Sequence, residues 1–249
     1  AEETDLSDAE RIALRRSERA ALAHVRHVVT TSAFTADALL DYDVTAPNLT
    51  VAPPGVAPAD PALGSPGPGL TLLSVGAVIP RKGYDVLLHA FVGLTHYQWH
   101  LEVVGSETLA PRHATGIQRL VEQLGLGSRV TFHGELTGDC LARAYKAADL
   151  FVLASHYEGY GMVLTEAVSH GLPVVATAGG AVPFTLPEGS GLLAPPGDVA
   201  GLRAALARIL GESELRGRLR EGAAAAARSL PTWDDVTDRV LLTLDEVVP

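Results

Sequence analysis

The sequence predicts an α/β fold built on a parallel sheet with helices on both faces. From Leu70 onward, apolar runs of strand length alternate with helical segments, a pattern typical of right-handed strand–helix–strand units. The predicted strands are apolar on both faces, as in the segment FVLAS, which favours a sheet covered by helices on two sides. Of the 249 residues, 47% are hydrophobic and 19% are charged. This composition supplies a packed core and excludes disordered and collagen-like classes.

Residues 1–55 are predicted to form part of a separate, smaller α/β unit. Ser7 and Glu10 have the spacing of a capping box, which predicts a helix that starts near Asp8 and continues to about His24. Two short strands and a second helix follow, at Val25–Thr31, Leu49–Ala52 and Ala33–Tyr42.

Residues 56–69 are predicted to be a linker. Proline and glycine dominate the stretch PPGVAPADPALGSPGPG, from Pro53 to Gly69, and this composition excludes a helix or a central strand. We therefore place a domain boundary here.

Residues 70–230 are predicted to form the larger domain. Its strands are expected at Leu70–Val75, His100–Val104, Arg129–His133, Leu150–Ala154, Pro173–Ala176 and Leu192–Ala194. Its helices are expected at Tyr84–Leu94, Gly116–Leu124, Asp139–Ala147, Val163–His170, Ala181–Leu186, Val199–Leu210 and Glu214–Ala227. A last helix is expected within residues 231–249. Ligands of such sheets bind where strands end and helices begin, so chemistry is expected in those loops.

Charge and cysteine content exclude several functions. The chain has 19 basic and 29 acidic residues, a net charge of −10, so the phosphates of a nucleic acid would repel it. A single cysteine, Cys140, excludes a disulfide framework and a thiolate zinc site. No His, Asp or Glu cluster has metal-ligand spacing, so no metal is expected. The acidic N-terminus is unlike a signal peptide, and a cytoplasmic location is expected, with peripheral membrane association left open. The absence of an initiator methionine suggests a fragment, a processed chain or a trimmed one.

The loop after the first strand of the larger domain carries two cations. It reads Gly76-Ala-Val-Ile-Pro-Arg81-Lys82-Gly83, and a guanidinium next to an ammonium suits a diphosphate. The alternative is a pair of solvated surface cations. The loop is not a Walker motif, and the chain has no G-x-G-x-x-G, which weighs against a dinucleotide-dependent dehydrogenase.

The loop after the strand Leu150–Ala154 carries two carboxylates eight positions apart, Glu158 and Glu166. Gly159 and Gly161 lie between them and allow a ligand to approach the backbone closely. Glu166 lies about one turn into the next helix, where a carboxylate can accept both hydroxyls of a ribose. The alternative is a capped helix with a glycine turn and a surface glutamate.

These loops, in this order, resemble those of retaining glycosyltransferases of the GT-B fold, family GT4 (glycosyl transferases group 1). From about Leu70 to Val247 the chain resembles their C-terminal, nucleotide-sugar-binding domain. The stretches that carry the resemblance are SVGAVIPRKGYDVLLHAF, RVTFHGELT, ADLFVLASHYEGYGMVLTEAVSHGLPVVAT, AGGAVPF and GLLAPPGD. The stretches ERAALAHVRHVVTTSAFTADALL and VAPPGV resemble the end of the family's N-terminal domain. The last helix, at residues 231–249, resembles the one that crosses back to that N-terminal domain.

The resemblance implies roles for individual residues. Arg81 and Lys82 match the basic pair that binds the donor diphosphate and stabilises the leaving nucleotide without a metal. Glu158 matches the glutamate near the transferred sugar, and Glu166 matches the one that holds the ribose. The implied catalytic residues are therefore Glu158, Arg81 and Lys82. The implied donor-binding residues are Arg81, Lys82, Glu166, Gly159, Tyr160, Gly161, Met162, Val163 and Leu164, with Arg129, His133 and Leu136 beside the base.

The implied reaction is transfer of a sugar from a UDP- or GDP-linked donor to an unidentified acceptor hydroxyl, with retention of configuration. Two departures are visible: Ala77 stands where many members have arginine, and Phe184 stands about where members often have glutamate.

The family's acceptor-side glycine loop and catalytic histidine would lie upstream of Ala1. A second hypothesis is therefore a donor-binding subunit or fragment that is inactive without an N-terminal partner chain. A related epimerase or phosphorylase is a third, and Lys146, placed in a helix, disfavours the phosphorylase.

Overall fold

The computed structural model describes residues 6–247, and two parallel sheets organise them. The smaller sheet pairs β1 with β2 in parallel and is accompanied by two helices. The bounds of these elements are α1 Asp8–Leu22, β1 Val28–Thr30, α2 Ala33–Leu40 and β2 Leu49–Val51. The predicted small α/β unit is present, and the Ser7–Glu10 capping box that starts α1 is formed.

The larger sheet has six strands, all parallel, in the order β5-β4-β3-β6-β7-β8. Their bounds are β3 Leu70–Val75, β4 Trp99–Val104, β5 Val130–Phe132, β6 Leu150–Leu153, β7 Val174–Thr177 and β8 Gly191–Ala194. Within this sheet the chain starts at the central strand β3, moves outward to β4 and the edge strand β5, and then returns to build the other half from β6 to β8. This is the doubly wound Rossmann-like order, and its topological switch point lies between β3 and β6. The predicted fold class is confirmed.

Helices cover both faces of this sheet and create two core layers. The helices that follow β3 in the chain are α3 Tyr84–Phe91, α4 Pro111–Gln123, α5 Gly138–Ala147, α6 Met162–Ser169, α7 Val182–Thr185, α8 Val199–Gly211, α9 Ser213–Ala227 and, directed to the small unit, α10 Trp233–Val247. Leu72 packs into one layer and its neighbour Leu73 into the other, because successive side chains of a strand point to opposite faces. In β6, Val152 and Phe151 divide in the same way. None of the helices in residues 6–247 is long and apolar enough to cross a bilayer.

The proline-rich stretch has no regular secondary structure, but it is not a free tether. The amide of Ala62 donates to the carbonyl of His170 over 2.8 Å, and the amide of Leu63 donates to the carbonyl of Lys146 over 2.8 Å. Ala62 itself is buried in the core layer that contains Phe151. The stretch therefore holds the small unit against the large domain.

Helix α10 returns to the small unit, as the sequence predicts for the last helix. Arg239 donates from Nη1 to the carbonyl oxygen of Val51 over 2.8 Å. The buried hydroxyl of Thr243 lies 3.2 Å from the hydroxyl of Thr50. The C-terminal end of the chain is thereby anchored on strand β2.

Several boundaries differ from the sequence prediction; the largest shift is at α4, and the shift at β5 affects two predicted site residues. Helix α4 begins at Pro111 rather than Gly116, because proline is well suited to the first position of a helix, where its missing N–H group costs nothing. Strand β5 covers Val130–Phe132 only, so Arg129 and His133 lie just outside its two ends.

Gly83 is required where the loop after β3 passes the end of β6. Its backbone is left-handed (φ 61°) and a Cβ atom would collide with the carbonyl oxygen of Ala154. We expect Gly83→Ala to lower the free energy of unfolding by about 3 kcal/mol, from the left-handed conformation and the collision together. Gly125 is the matched control, since it has a similar φ of 68° with open space around it.

For Gly125→Ala we expect a loss of only about 1–2 kcal/mol, the left-handed cost alone. Urea unfolding of both variants measures the two losses. Equal losses would show that the close approach of Gly83 to Ala154 does not constrain the loop.

Candidate functional site

The two loops that carry Arg81, Lys82 and Glu158 meet at the switch point of the large sheet. Residues 76–83 follow β3, residues 155–161 follow β6, and these strands are neighbours. The amide of His156 donates to the carbonyl oxygen of Arg81 over 2.8 Å, which ties one loop to the other. In sheets of this topology the crevice at the switch point is where ligands bind.

A buried carboxylate joins both cations of the first loop. Lys82 Nζ lies 2.6 Å from Glu158 Oε1, and Arg81 Nη1 lies 3.1 Å from Glu158 Oε2. The hydroxyl of Ser155 donates to Glu158 Oε1 over 2.6 Å. The side chains of Glu158 and Lys82 are 8% and 10% exposed, whereas that of Arg81 is 33% exposed. Arg81 and Lys82 are therefore not solvated surface cations but members of one compact charged cluster.

The cluster shifts the acidity of Glu158. Burial raises the pKa of the Glu158 carboxyl. The charge of Lys82, the hydrogen bonds from Lys82 and Ser155, and the charge of Arg81 together lower this pKa by more than burial raises it. The net pKa lies below the ordinary value of 4.5. Glu158 is therefore ionised at neutral pH and stays so in moderately acidic solution.

This shift predicts an acid-dependent stability. Because the pKa of Glu158 is lower in the folded chain than in the unfolded one, its contribution is fully present above pH 4.5 and disappears as the pH falls through the folded pKa. We expect wild type to lose more stability than Glu158→Gln when the pH is lowered from neutral to below 4.5. Urea unfolding over a pH series measures this, and parallel pH curves for the two proteins would contradict it.

Helix α6 starts from the glycine turn that follows Glu158. Gly161 is its N-cap residue in a left-handed conformation (φ 89°), so no side chain caps the helix. The amide N–H groups of Met162 and Val163 belong to this first turn, where backbone donors lack helical partners and attract anions. The N–H group of Leu164 is already used, since it donates to the carbonyl oxygen of Gly161 over 2.8 Å, and its side chain is fully buried.

Glu166, on helix α6, faces a groove. Its Oε2 accepts a hydrogen bond of 2.7 Å from the hydroxyl of Tyr145. Burial and the nearby Glu166 charge raise the pKa of Tyr145 well above its usual range, so this hydroxyl remains a donor. The groove has a volume of about 740 Å³ and is lined by Glu166, Met162 and Thr165 of α6, by α5, by residues 55–60 and by Trp233. Ligand sites typically have volumes in this range.

The structure does not bring Arg129 to this site. Arg129 precedes β5 and so lies at the amino end of the sheet, opposite the loops of the site. Its guanidinium donates to the carbonyl oxygens of Thr95 over 2.8 Å and of Tyr97 over 2.9 Å, and it lies over the ring of Trp99 at 5.1 Å. These contacts give Arg129 a structural role in joining β5 to the turn before β4.

His133 and Leu136 lie at the correct end of the sheet but are engaged elsewhere. His133 Nε2 contacts the carboxylate of Glu102 on β4, and Leu136 packs against the core layer beneath α5 and α6. Neither residue lines the groove that Glu166 faces.

Two polar partners of the site were missed in the sequence. Ser155 stands three positions before Glu158 and is completely buried, a spacing that could have suggested its hydrogen bond. Tyr145 lies 21 positions before Glu166 on another helix, and no local pattern indicates that pairing. Within residues 6–247, no group of three or more His, Cys, Asp or Glu side chains is placed to hold a metal ion.

The doubly wound sheet, with a basic pair and two glutamates at its switch point, defines the C-terminal domain of a GT-B glycosyltransferase. The chain belongs to the family Glycosyl transferases group 1, whose model matches residues 58–226.

Curated relatives include mannosylfructose-phosphate synthase of Agrobacterium fabrum, which is 34% identical over 185 residues, or 71% of this chain and 40% of the relative. D-inositol 3-phosphate glycosyltransferase of Thermomonospora curvata is 37% identical over 187 residues, 72% of this chain and 43% of the relative. The chain thus spans about two fifths of the length of these relatives.

Solved structures show the same fold. Sucrose-phosphate synthase from Thermosynechococcus elongatus superimposes with a TM-score of 0.85 at 28% identity, covering 99% of this chain and 63% of that one. Anabaena Alr3699/HepE in complex with UDP-glucose superimposes with a TM-score of 0.78 at 21% identity, covering 89% of this chain and 64% of that one.

Proposed function

We propose that this chain binds a nucleotide-diphosphate sugar and forms the donor half of a retaining glycosyltransferase. The observation that carries the proposal is the cluster of Arg81, Lys82 and Glu158 at the switch point, beside the uncapped start of α6 and the groove at Glu166. The family supplies the reaction class, transfer of a sugar.

In this proposal the diphosphate lies against Arg81 and Lys82. Both cations are positioned at the switch point by the loop after β3, and they stabilise the negative charge that develops on the leaving nucleotide. The first-turn amides of α6 add donors for phosphate and sugar oxygens. Glu166 accepts the ribose hydroxyls through its carboxylate, which Tyr145 holds in place.

Transfer breaks the bond between the anomeric carbon and the phosphate oxygen and forms one to the acceptor oxygen on the same face of the sugar, while the acceptor's hydroxyl proton passes to the departing phosphate oxygen. Retention by such front-side attack is what the family resemblance implies. The chain's own contribution is to hold the donor and stabilise the departing diphosphate. The proposed donors are UDP- or GDP-linked, and UDP is supported by a structural relative, since HepE was crystallised with UDP and with UDP-glucose.

A donor-binding fragment or subunit that needs an N-terminal partner chain is the second candidate. It is favoured by the chain's coverage of about two fifths of its relatives. The small unit exposes the large apolar side chains of Val29 and Leu40, at 44% and 55%, and α10, which packs on it, exposes Leu242 at 66%. Sugar transfer assayed with and without a co-purified partner chain separates the two candidates, because only the second one requires the partner.

A thermal-shift screen of UDP, GDP, ADP and their sugars tests donor binding. A ligand that binds only the folded chain raises the melting temperature by mass action, so the most stabilising nucleotide identifies the base. If none of these compounds shifts the melting temperature at millimolar concentration, the proposed function is wrong.

A further inference from the structure

The start of helix α2 in the small unit reaches the glycine turn of the donor site. Ser32 donates from Oγ to the carbonyl oxygen of Gly159 over 3.0 Å, across 127 positions of sequence, and Ser32 is buried. The ring of Phe34 lies 6.0 Å from that of Tyr157 and 6.0 Å from that of Phe184. The small unit is thus packed directly on the loop that carries Glu158.

Three consecutive carbonyl groups of this turn are held, two of them by α7 with its N-cap residue Ala181 and one by the start of α2. The carbonyl of Glu158 accepts from the amide of Ala181 over 2.8 Å, and that of Tyr160 accepts from the hydroxyl of Thr185 over 2.6 Å. The carbonyl between them, that of Gly159, accepts from Ser32. A trans peptide unit is planar, so its N–H group points away from its own carbonyl. Holding the Gly159 carbonyl therefore fixes the direction of the Tyr160 N–H group.

The Gly159–Tyr160 peptide unit follows a glycine, so the backbone before it can rotate. A Cβ atom at Gly159 would meet nothing within 4 Å, and glycine itself tolerates a wide range of backbone conformations. Within residues 6–247, no backbone carbonyl accepts the Tyr160 N–H group. The hydrogen bond from the Ser32 hydroxyl thus sets the orientation of the Tyr160 N–H group, a donor that is still available to a ligand.

Ser32 is itself held in place. It is the N-cap residue of α2, and its Oγ accepts from the amide of Thr35 over 3.1 Å. A serine hydroxyl has one proton to donate. The Thr35 hydroxyl, 3.0 Å from Ser32 Oγ, can donate to that oxygen, and the Ser32 proton then goes to the carbonyl oxygen of Gly159. One side chain therefore caps a helix of the small unit and orients a peptide of the large domain.

We propose that Ser32 is a positioning residue of the donor site, which aims the Tyr160 N–H group at an oxygen of the sugar diphosphate. The inference rests on the proposed function, since it assigns a residue of the small unit to the same donor site. It also gives residues 1–55 a part in donor binding, separate from any part in acceptor binding.

The test compares Ser32→Gly with Ser32→Thr. Glycine retains most of the N-cap preference but lacks the hydroxyl, whereas threonine keeps both the cap and the donor. UDP binding is measured by calorimetry, with GDP as the probe if wild type binds only GDP. We expect Ser32→Gly to weaken binding about threefold to tenfold, the effect of one hydrogen bond, and Ser32→Thr to bind like wild type.

The outcomes are distinguishable. If wild type binds neither UDP nor GDP, the proposed function fails and the inference fails with it. If wild type binds and Ser32→Gly binds equally well, the proposed function stands and the role of Ser32 is overturned. If Ser32→Gly and Ser32→Thr are weakened alike, the contact acts through packing and the orienting role is also overturned.

Discussion

Replacement of both Arg81 and Lys82 by alanine is expected to weaken nucleoside-diphosphate binding by about 100-fold or more, because two contacts are lost and hydrogen bonds to charged groups contribute about 1.5–3 kcal/mol each. The two side chains supply the positive charge at the switch point, and both are within hydrogen-bond distance of Glu158. Calorimetric titration of UDP and GDP into wild type and the double variant measures the loss. Unchanged affinity would show that the diphosphate does not lie on this pair.

Controls are needed because the double substitution leaves the buried Glu158 unpaired, a change that costs about 3–5 kcal/mol of stability. Adding Glu158→Gln to the double variant removes the uncompensated charge, so the triple variant should regain stability without regaining affinity. Arg208→Ala combined with Arg218→Ala removes two positive charges from helices α8 and α9 and should leave the affinity unchanged.

Glu158→Gln alone is expected to raise the affinity for UDP or GDP by about threefold to tenfold while it abolishes sugar transfer. The Glu158 carboxylate lies 2.6 Å from Lys82 Nζ and 3.1 Å from Arg81 Nη1, so it competes with the phosphates for both cations and repels them. A neutral amide of nearly the same shape ends this competition. Transfer is lost because the carboxylate proposed to lie near the transferred sugar is gone.

Calorimetry and an assay of sugar transfer, with the partner chain if one is required, measure the two effects. Glu166→Gln is the matched comparison, since it also removes one carboxylate of the pair but lies in the groove, hydrogen-bonded to Tyr145. It should weaken nucleotide binding, because it alters the ribose acceptor and relieves no competition. If Glu158→Gln weakens nucleotide binding as Glu166→Gln does, Glu158 does not compete with the phosphates.

Regular strands and loops were predictable from the sequence because the signals are local. Strand β3 has the predicted bounds Leu70–Val75, since a buried parallel strand shows as an unbroken apolar run. Once β3 and β6 are placed side by side, the loops that carry Arg81, Lys82 and Glu158 lie at the same edge of the sheet. The assignment of Arg129 to the base fails for the same reason, because a residue that precedes a strand lies at the opposite edge of the sheet.

Pairings between distant elements were not predictable. The direct contact of Glu158 with both cations depends on how two loops fold over each other, and Tyr145 reaches Glu166 from a different helix. The contact from Ser32 to Gly159 joins two units that the proline-rich stretch separates in the sequence. Nothing in the local pattern around Ser32 beyond its capping role indicates this contact.

A crystal structure of the chain with the nucleoside diphosphate that raises its melting temperature most tests the central claim directly. We expect the diphosphate oxygens to lie within hydrogen-bond distance of Arg81 and Lys82 and the ribose hydroxyls to lie on the carboxylate of Glu166. A nucleotide bound away from the switch point, with Arg81 and Lys82 still paired only to Glu158, would contradict it.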